Sequence, residues 1–248
     1  MGAVSIAAIA AELVIMICGP VAAAIWIRWR FAVPGRVFWI AAGLFLVNLV
    51  VSVPLVTLLW PSLFGAGSWA LLAATAMTYA VCEEIARYLS FCAGRSMRAN
   101  RTAGGALAAG VGHGGAESVL FGLQYALGMA VVWLLPQALP SGAAERLSGS
   151  PWSTFLLTGV ERPIAIACHV GFAALIVLAY RRSALLLPVA VAAHFVVDFA
   201  TFGLQGVAGG FWHDLLFLAF AIAAVFVFRW ARRSCPRVEA PETPQPVR

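Results

Sequence analysis

The chain has 248 residues, of which 62% are hydrophobic and only 10% are charged. A soluble domain carries about 25% charged residues, so this composition excludes a soluble globular protein, a disordered chain and a nucleic-acid-binding protein. What remains is a polytopic membrane protein. Because the apolar runs are continuous and do not alternate with polar residues, we predict an all-α transmembrane helical bundle.

Seven apolar stretches predict about seven membrane spans. Each has the roughly 20 residues that a helix needs to cross a ~30 Å hydrocarbon core. The stretches are residues 4–27, 37–60, 68–93, 103–135, 154–180, 183–203 and 209–230. Abundant glycine in the fourth stretch predicts a tilted, kinked or broken helix, and Pro163 predicts a separate short helix at the start of the fifth. We expect one bundle over residues 1–233 and a disordered polar cytoplasmic tail over 234–248.

The arginines predict the orientation of the bundle. They follow the first, third, fifth and seventh stretches, whereas the alternate loops hold only Arg146. Because cytoplasmic loops are enriched in basic residues, the N-terminus is predicted outside and the C-terminus in the cytoplasm. The net charge of +6 comes from arginine alone, with no lysine. This composition is typical of a GC-rich bacterial genome, so we expect the bacterial cytoplasmic membrane.

Ionisable side chains inside the spans are the candidate functional residues, because each is costly in hydrocarbon. Three spans carry polar pairs four residues apart, which places each pair on one helix face. These pairs are Glu83 with Arg87, His113 with Glu117, and His194 with Asp198; Glu84, Glu161, Arg162 and His169 also lie in spans. Such faces are expected to turn toward the protein interior or a water-filled cavity.

A shared depth joins four of these residues into one predicted site. Glu83, His113, His169 and His194 each lie twelve residues from the nearest predicted cytoplasmic arginine. At ~1.5 Å per residue, this is about 18 Å of helical rise. Four consecutive helices therefore place a polar side chain near the middle of the bilayer, which indicates a single site.

Three kinds of chemistry suit such a site. Imidazoles and carboxylates bind divalent transition metals, most naturally zinc, and His113, His169 and His194 are the candidate ligands. In a metal-free alternative, a glutamate and a histidine activate water while a second histidine and an acid or amide stabilise the oxyanion. A proton-coupled carrier or a non-catalytic scaffold would also use buried histidines and carboxylates. Because a carrier typically shows inverted repeats and the motifs here fall only in the third to sixth spans, we favour a hydrolase.

Three outlying polar features have structural interpretations. Glu12 is expected to serve a structural or interfacial role. Glu161 and Arg162 are expected to form a buried ion pair at the outer side of the fifth span. His213 and Asp214, at the start of the last span, are expected at the surface, where polar residues are tolerated.

The ordered motifs resemble the YhfC family of bacterial intramembrane metalloproteases. They are Glu83-Glu84-x-x-Arg87, Gly112-His113-Gly114-Gly115-x-Glu117, Glu161-Arg162 with His169, and His194-x-x-x-Asp198. The resemblance covers about residues 75–200. Their order is also similar to that in the clan of CAAX prenyl proteases, bacteriocin-processing enzymes and PrsW-type proteases.

The resemblance implies a role for each motif and a peptide substrate in or beside the membrane. Glu83 and Glu84 match the double glutamate that activates water, and His113 matches the histidine that assists it or binds metal. The final motif, His194 and Asp198, matches residues assigned to oxyanion stabilisation or metal binding. The supporting residues are Arg87, which helps to hold the glutamates, and Glu117, Glu161 and Arg162. Many clan members separate the double glutamate from arginine by three residues, whereas this chain has two.

Overall fold

The computed structural model describes residues 2–207 and 210–234, and these residues are almost entirely helical with no strand. The all-α fold class is thereby confirmed. The long helices are α1 Ala3–Phe31, α2 Gly35–Leu63, α3 Trp69–Ser90, α4 Ala103–Leu134, α5 Trp152–Arg181, α6 Leu186–Val207 and α7 Gly210–Ser234. Short helices at Gly94–Ala99 and Ala143–Ser148 lie in two of the connections. The predicted tail lies outside the described residues, except for Ser234, which ends α7.

Six of the described helices are long and apolar enough to cross a membrane, and α3 is not among them. At 22 residues, α3 has sufficient length, but it carries Glu83, Glu84 and Arg87. All three residues are buried inside the bundle, so their polarity is hidden from the outer surface. The chain is an integral membrane protein, whereas the seventh span and the direction of insertion remain predictions.

Helix α5 is the central element of the bundle. In its most apolar window, 72% of the residues are buried, compared with 28% in α1 and 17% in α2. It packs against α1, α4, α6 and α7, and α3 closes a ring between α2 and α6. This arrangement surrounds an interior space with α2, α3, α4, α5 and α6.

Helix α4 is continuous from Ala103 to Leu134, so of the three predicted forms (tilted, kinked or broken) only the broken one is excluded. Neighbouring helices approach several of its glycines too closely for a side chain. A Cβ atom at Gly110 would lie 2.5 Å from Cα of Val170, and one at Gly112 would lie 2.5 Å from the carbonyl oxygen of Phe38. The glycines thus act as packing positions for α5 and α2. The predicted separate short helix before Pro163 is also wrong, because α5 runs without interruption through this proline.

Helix α1 contains a π-helical turn at Val14–Cys18, directly before Pro20. Because proline has no backbone N–H, the carbonyl of Met16 lacks its usual helical donor. The hydroxyl of Ser118 in α4 donates a hydrogen bond to this carbonyl at 2.9 Å. The free carbonyl in this turn of α1 therefore receives its hydrogen bond from α4, the helix that carries His113.

Candidate active site

The structure brings together polar side chains from α3, α4, α5 and α6. We call this cluster the inner centre; it comprises Glu83, Glu84, Arg87, His113, Glu117, His169, His194 and Asp198. All eight were candidates from the sequence. The α-helical period explains their convergence, since the polar pairs of α3, α4 and α6 each share one face and turn it toward α5.

Arg87 organises this cluster. Its side chain is fully buried, and its Nε donates to both carboxylate oxygens of Glu84 at 3.2 and 3.3 Å. Its other nitrogens reach α5, where Nη1 donates to the carbonyl of His169 at 3.3 Å and Nη2 lies 3.1 Å from the ring Nδ1 of the same residue. One guanidinium therefore fixes the glutamate pair of α3 against the central helix.

The contacts of Arg87 define the proton position on His169. A guanidinium has only donors, so Nδ1 of His169 accepts and the proton of the neutral ring lies on Nε2. This Nε2–H donates to Oε2 of Glu117 at 2.6 Å. Both ring nitrogens of His169 are thus engaged, and a metal ion on Nε2 would move the proton to Nδ1, facing the guanidinium.

His194 has the opposite arrangement. Its Nδ1 lies 2.8 Å from Oε1 of Glu84, and because this oxygen also accepts from Arg87, the histidine donates. In the neutral ring, Nε2 then carries the lone pair. It faces Oε2 of Glu83 at 3.8 Å and Oδ2 of Asp198 at 3.6 Å. A histidine that donates from Nδ1 to a carboxylate and presents Nε2 inward has the usual arrangement of a metal-ligating histidine.

Glu83 lies where these interactions meet. Its Oε2 is 3.0 Å from Nε2 of His113 and 3.8 Å from Nη2 of Arg87. The Glu83 carboxyl lines the interior cavity, whereas Glu84 is completely buried behind it. Adjacent residues of a helix point about 100° apart, so the two glutamates have different positions: Glu83 faces the cavity and Glu84 faces Arg87.

The cavity has a volume of about 440 Å³, within the range of small-ligand sites. Inner-centre side chains line one end, and mixed apolar and polar side chains continue toward the predicted outer side. Aromatic rings frame the histidines: Phe172 stacks on His194 with ring centroids 4.5 Å apart, and Phe45 lies 4.8 Å from His113. These rings were not among the candidate residues predicted from the sequence, although Phe172 follows His169 by three residues and so shares its helix face.

A second polar cluster lies at the other end of this cavity. We call it the outer group; it comprises Glu161 and Arg162 of α5 with His213 and Asp214 of α7. The predicted Glu161–Arg162 ion pair is long, at 4.0 Å. The surface placement of His213 is wrong, because only 4% of this residue is exposed. Its Nδ1 is 3.4 Å from Glu161 and 3.1 Å from Asp214, so packing against α5 buries it.

The inner centre fits a divalent metal. Glu83, His113 and His169 offer ligand atoms within 4.8 Å of one another, and two histidines with a glutamate are a common catalytic zinc set. His194 lies outside this group, but its Nε2 makes no hydrogen bond with the described residues and is 3.8 Å from Oε2 of Glu83, whereas both ring nitrogens of His169 are engaged. All three predicted histidine ligands therefore stay candidates, His113 and His169 by their spacing and His194 by its unengaged Nε2.

These features define an integral membrane protein with a buried, metal-compatible glutamate and histidine centre. The family model described as YhfC intramembrane metalloprotease matches residues 13–212, and the chain belongs to this family. The match includes every residue of the inner centre and confirms the resemblance noted in the motifs. No curated protein and no solved structure matches the chain.

Proposed function

We propose that this chain is an endopeptidase that hydrolyses peptide bonds within or beside the membrane, with Glu83 as the base that activates water. The contact that carries the proposal is the 3.0 Å approach of Glu83 to His113, at the wall of a cavity large enough for a peptide segment. Glu84, which is locked between Arg87 and His194, is a positioning residue.

The proposed reaction uses these contacts. The Glu83 carboxylate takes a proton from water as the water oxygen attacks the peptide carbonyl. His113 is almost fully buried and reaches the reaction only through Glu83, so it orients that carboxylate and shares its proton. Glu83 then returns the proton to the leaving amine, and general acid–base transfer of this kind contributes about 10²–10⁴-fold.

His194 and Asp198 line the cavity beside Glu83. With a proton on both ring nitrogens, His194 would donate from Nε2 to the carbonyl oxygen and stabilise the negative charge that develops there, and Asp198 would orient this imidazolium. A zinc ion, for which His113, His169 and His194 are the candidate ligands, would supply Lewis-acid polarisation of the carbonyl and a more acidic bound water. The aromatic faces of Phe45 and Phe172 restrict the histidine rings and exclude bulk water from this end.

Cleavage of a helical reporter peptide by the purified full-length protein in lipid nanodiscs tests the proposal. We expect Glu83→Gln to reduce the rate by about 10³-fold, because an amide cannot accept the proton of water. Glu12→Gln, a buried carboxyl on α1 away from the inner centre, serves as the matched control and should retain the wild-type rate. Full activity of Glu83→Gln would overturn the assignment.

Metal content of the same samples tests the cofactor. One zinc equivalent that is present in active protein and absent from His113→Ala would support the metal-dependent route. Active protein without metal would contradict it and leave the glutamate mechanism. Peptide-independent proton flux that is abolished in Glu83→Gln, without cleavage in the wild type, would instead favour a proton-coupled carrier.

We also propose that the protein lies in a bacterial cytoplasmic membrane with its C-terminus inside. The arginine-rich loops between alternate helices support this orientation. Reporter fusions after Arg36 and after Ser234 should both report the cytoplasm. A reporter after Ser148 should report the outside, and any other pattern would contradict the seven-span topology.

A further inference from the structure

The outer group has the composition of a second metal-binding site. Glu161, His213 and Asp214 offer one ligand atom each, and these atoms lie within 4.8 Å of one another. The two carboxylates come from different helices but approach the same atom, Nδ1 of His213. A common centre for the three donors therefore lies between α5 and α7.

The separations match those of ligands around one ion. Zinc lies about 2.0–2.2 Å from nitrogen and oxygen ligands, so neighbouring ligand atoms are about 3.0–3.5 Å apart. The observed distances from Nδ1 are 3.4 Å to Glu161 and 3.1 Å to Asp214. These side chains need little movement to coordinate an ion. The imidazole favours a transition metal over calcium or magnesium, which prefer oxygen ligands.

The neighbouring Arg162 makes only long contacts with the carboxylates around it. Arg162 lies 4.0 Å from Glu161 and 3.6 Å from Glu117, so neither contact is a hydrogen bond. Its Nε is buried and has no hydrogen-bond partner. A divalent cation would compensate the paired negative charges of Glu161 and Asp214 at shorter range than this guanidinium does.

The outer group is accessible yet separate from the inner centre. Glu161 and His213 both line the cavity, which provides a route of entry for an ion. Along α5, Glu161 precedes His169 by eight residues, or about 12 Å of helical rise. The two sites therefore share a cavity but no ligand.

We propose that Glu161, His213 and Asp214 form a second, structural site for a divalent transition metal of the zinc class, which links α5 to α7 at the outer end of the cavity. The ion joins two helices that already pack side by side. It fixes the start of α7 against the wall of the substrate cavity.

This proposal is tested by counting the metal equivalents that the full-length protein binds in detergent. Apo protein is equilibrated with zinc, dialysed and analysed by mass spectrometry of the metal. We expect His213→Gln and Asp214→Asn each to bind one equivalent less than the wild type, whereas Glu12→Gln should match the wild type. Equal stoichiometry in the wild type and both variants would overturn the second site.

Two further measurements separate this proposal from the proposed function and from misfolding. Zinc at about a hundredfold excess over its Kd should raise the Tm of the wild type by about 5 °C more than that of Asp214→Asn. Equal shifts would count against the site. His113→Ala changes only the inner centre. If the protein cleaves no peptide, the loss of zinc binding and of the zinc-induced Tm shift in Asp214→Asn would still reveal the outer site.

Discussion

The inner centre and the outer group each contain one arginine among carboxylates and histidines, but the two arginines differ in burial and in hydrogen bonding. Arg87 has a fully buried side chain and contacts both Glu84 and His169 within hydrogen-bonding distance. The Arg162 side chain is 16% exposed, and its nearest carboxylate oxygen is 3.6 Å away. The inner centre is therefore already arranged by the protein, whereas the outer group lacks a short cationic contact from its arginine.

The helices that contribute the residues account for this difference. The inner centre draws on interior turns of α3, α4, α5 and α6, where neighbouring helices constrain each backbone. The outer group joins one turn of α5, beside Pro163, to the first turn of α7. A site between two helices has fewer constraints than a site among four, so its geometry depends more on what binds there.

Replacing the arginine of the inner centre should have the largest effect. Arg87→Met leaves Glu84 as a buried carboxylate without its cation, and breaking a buried pair in this way costs about 3–5 kcal/mol. Peptide cleavage should be lost as well, because His169 and Glu84 lose their shared partner. Chemical unfolding in detergent measures the free energy, and an unchanged unfolding midpoint would show that Arg87 does not organise the centre.

A single methyl group should perturb the inner centre less strongly. In Gly114→Ala, the new Cβ would lie 2.5 Å from Cδ2 of His169, and such overpacking costs about 1–3 kcal/mol. Displacement of the ring by a few tenths of an ångström should lower cleavage by up to about 10²-fold.

Gly128→Ala, in the same helix, is the matched control for this substitution. Nothing lies within 4 Å of its Cβ position. Alanine favours a helix over glycine by about 0.5–1 kcal/mol, so this variant should be as stable as the wild type or slightly more stable. A similar loss of cleavage in both variants would contradict the packing explanation.

The smallest effect is expected for the arginine of the outer group. Arg162→Met removes long ion pairs and a cation–π contact with Phe121 at 5.0 Å. Methionine can also pack on that ring, and the contacts that are lost are worth about 0–1 kcal/mol. The unfolding free energy should change by less than 1 kcal/mol, in contrast to that of Arg87→Met. A loss as large as that of Arg87→Met would show that both arginines hold their clusters in the same way.

The sequence predicted the existence of the inner centre but not its internal pairing. Twelve-residue spacing from the loop arginines was sufficient to bring Glu83, His113, His169 and His194 to one level. Which glutamate faces the cavity depends on the rotation of α3, and that rotation is set by contacts of Arg87 with α5, which no local pattern reveals.

Two predictions failed because they treated helices one at a time. Pro163 indicated a separate short helix, because proline cannot donate the usual helical hydrogen bond, but α5 runs through it. His213 was assigned to the surface from its position near a helix end. His213 is buried because α7 packs against α5, where it contacts Glu161, a residue 52 positions earlier in the chain. Only this tertiary contact reveals the burial.

The burial of α5 has a consequence for how the protein is reconstituted. Every side chain of the inner centre comes from one polypeptide, and the central helix is surrounded by helices of the same polypeptide. The proposed catalytic centre is thus built from side chains of one polypeptide. Nanodiscs that hold a single copy should thus cleave as fast per molecule as densely packed proteoliposomes, and activity should scale linearly with dilution.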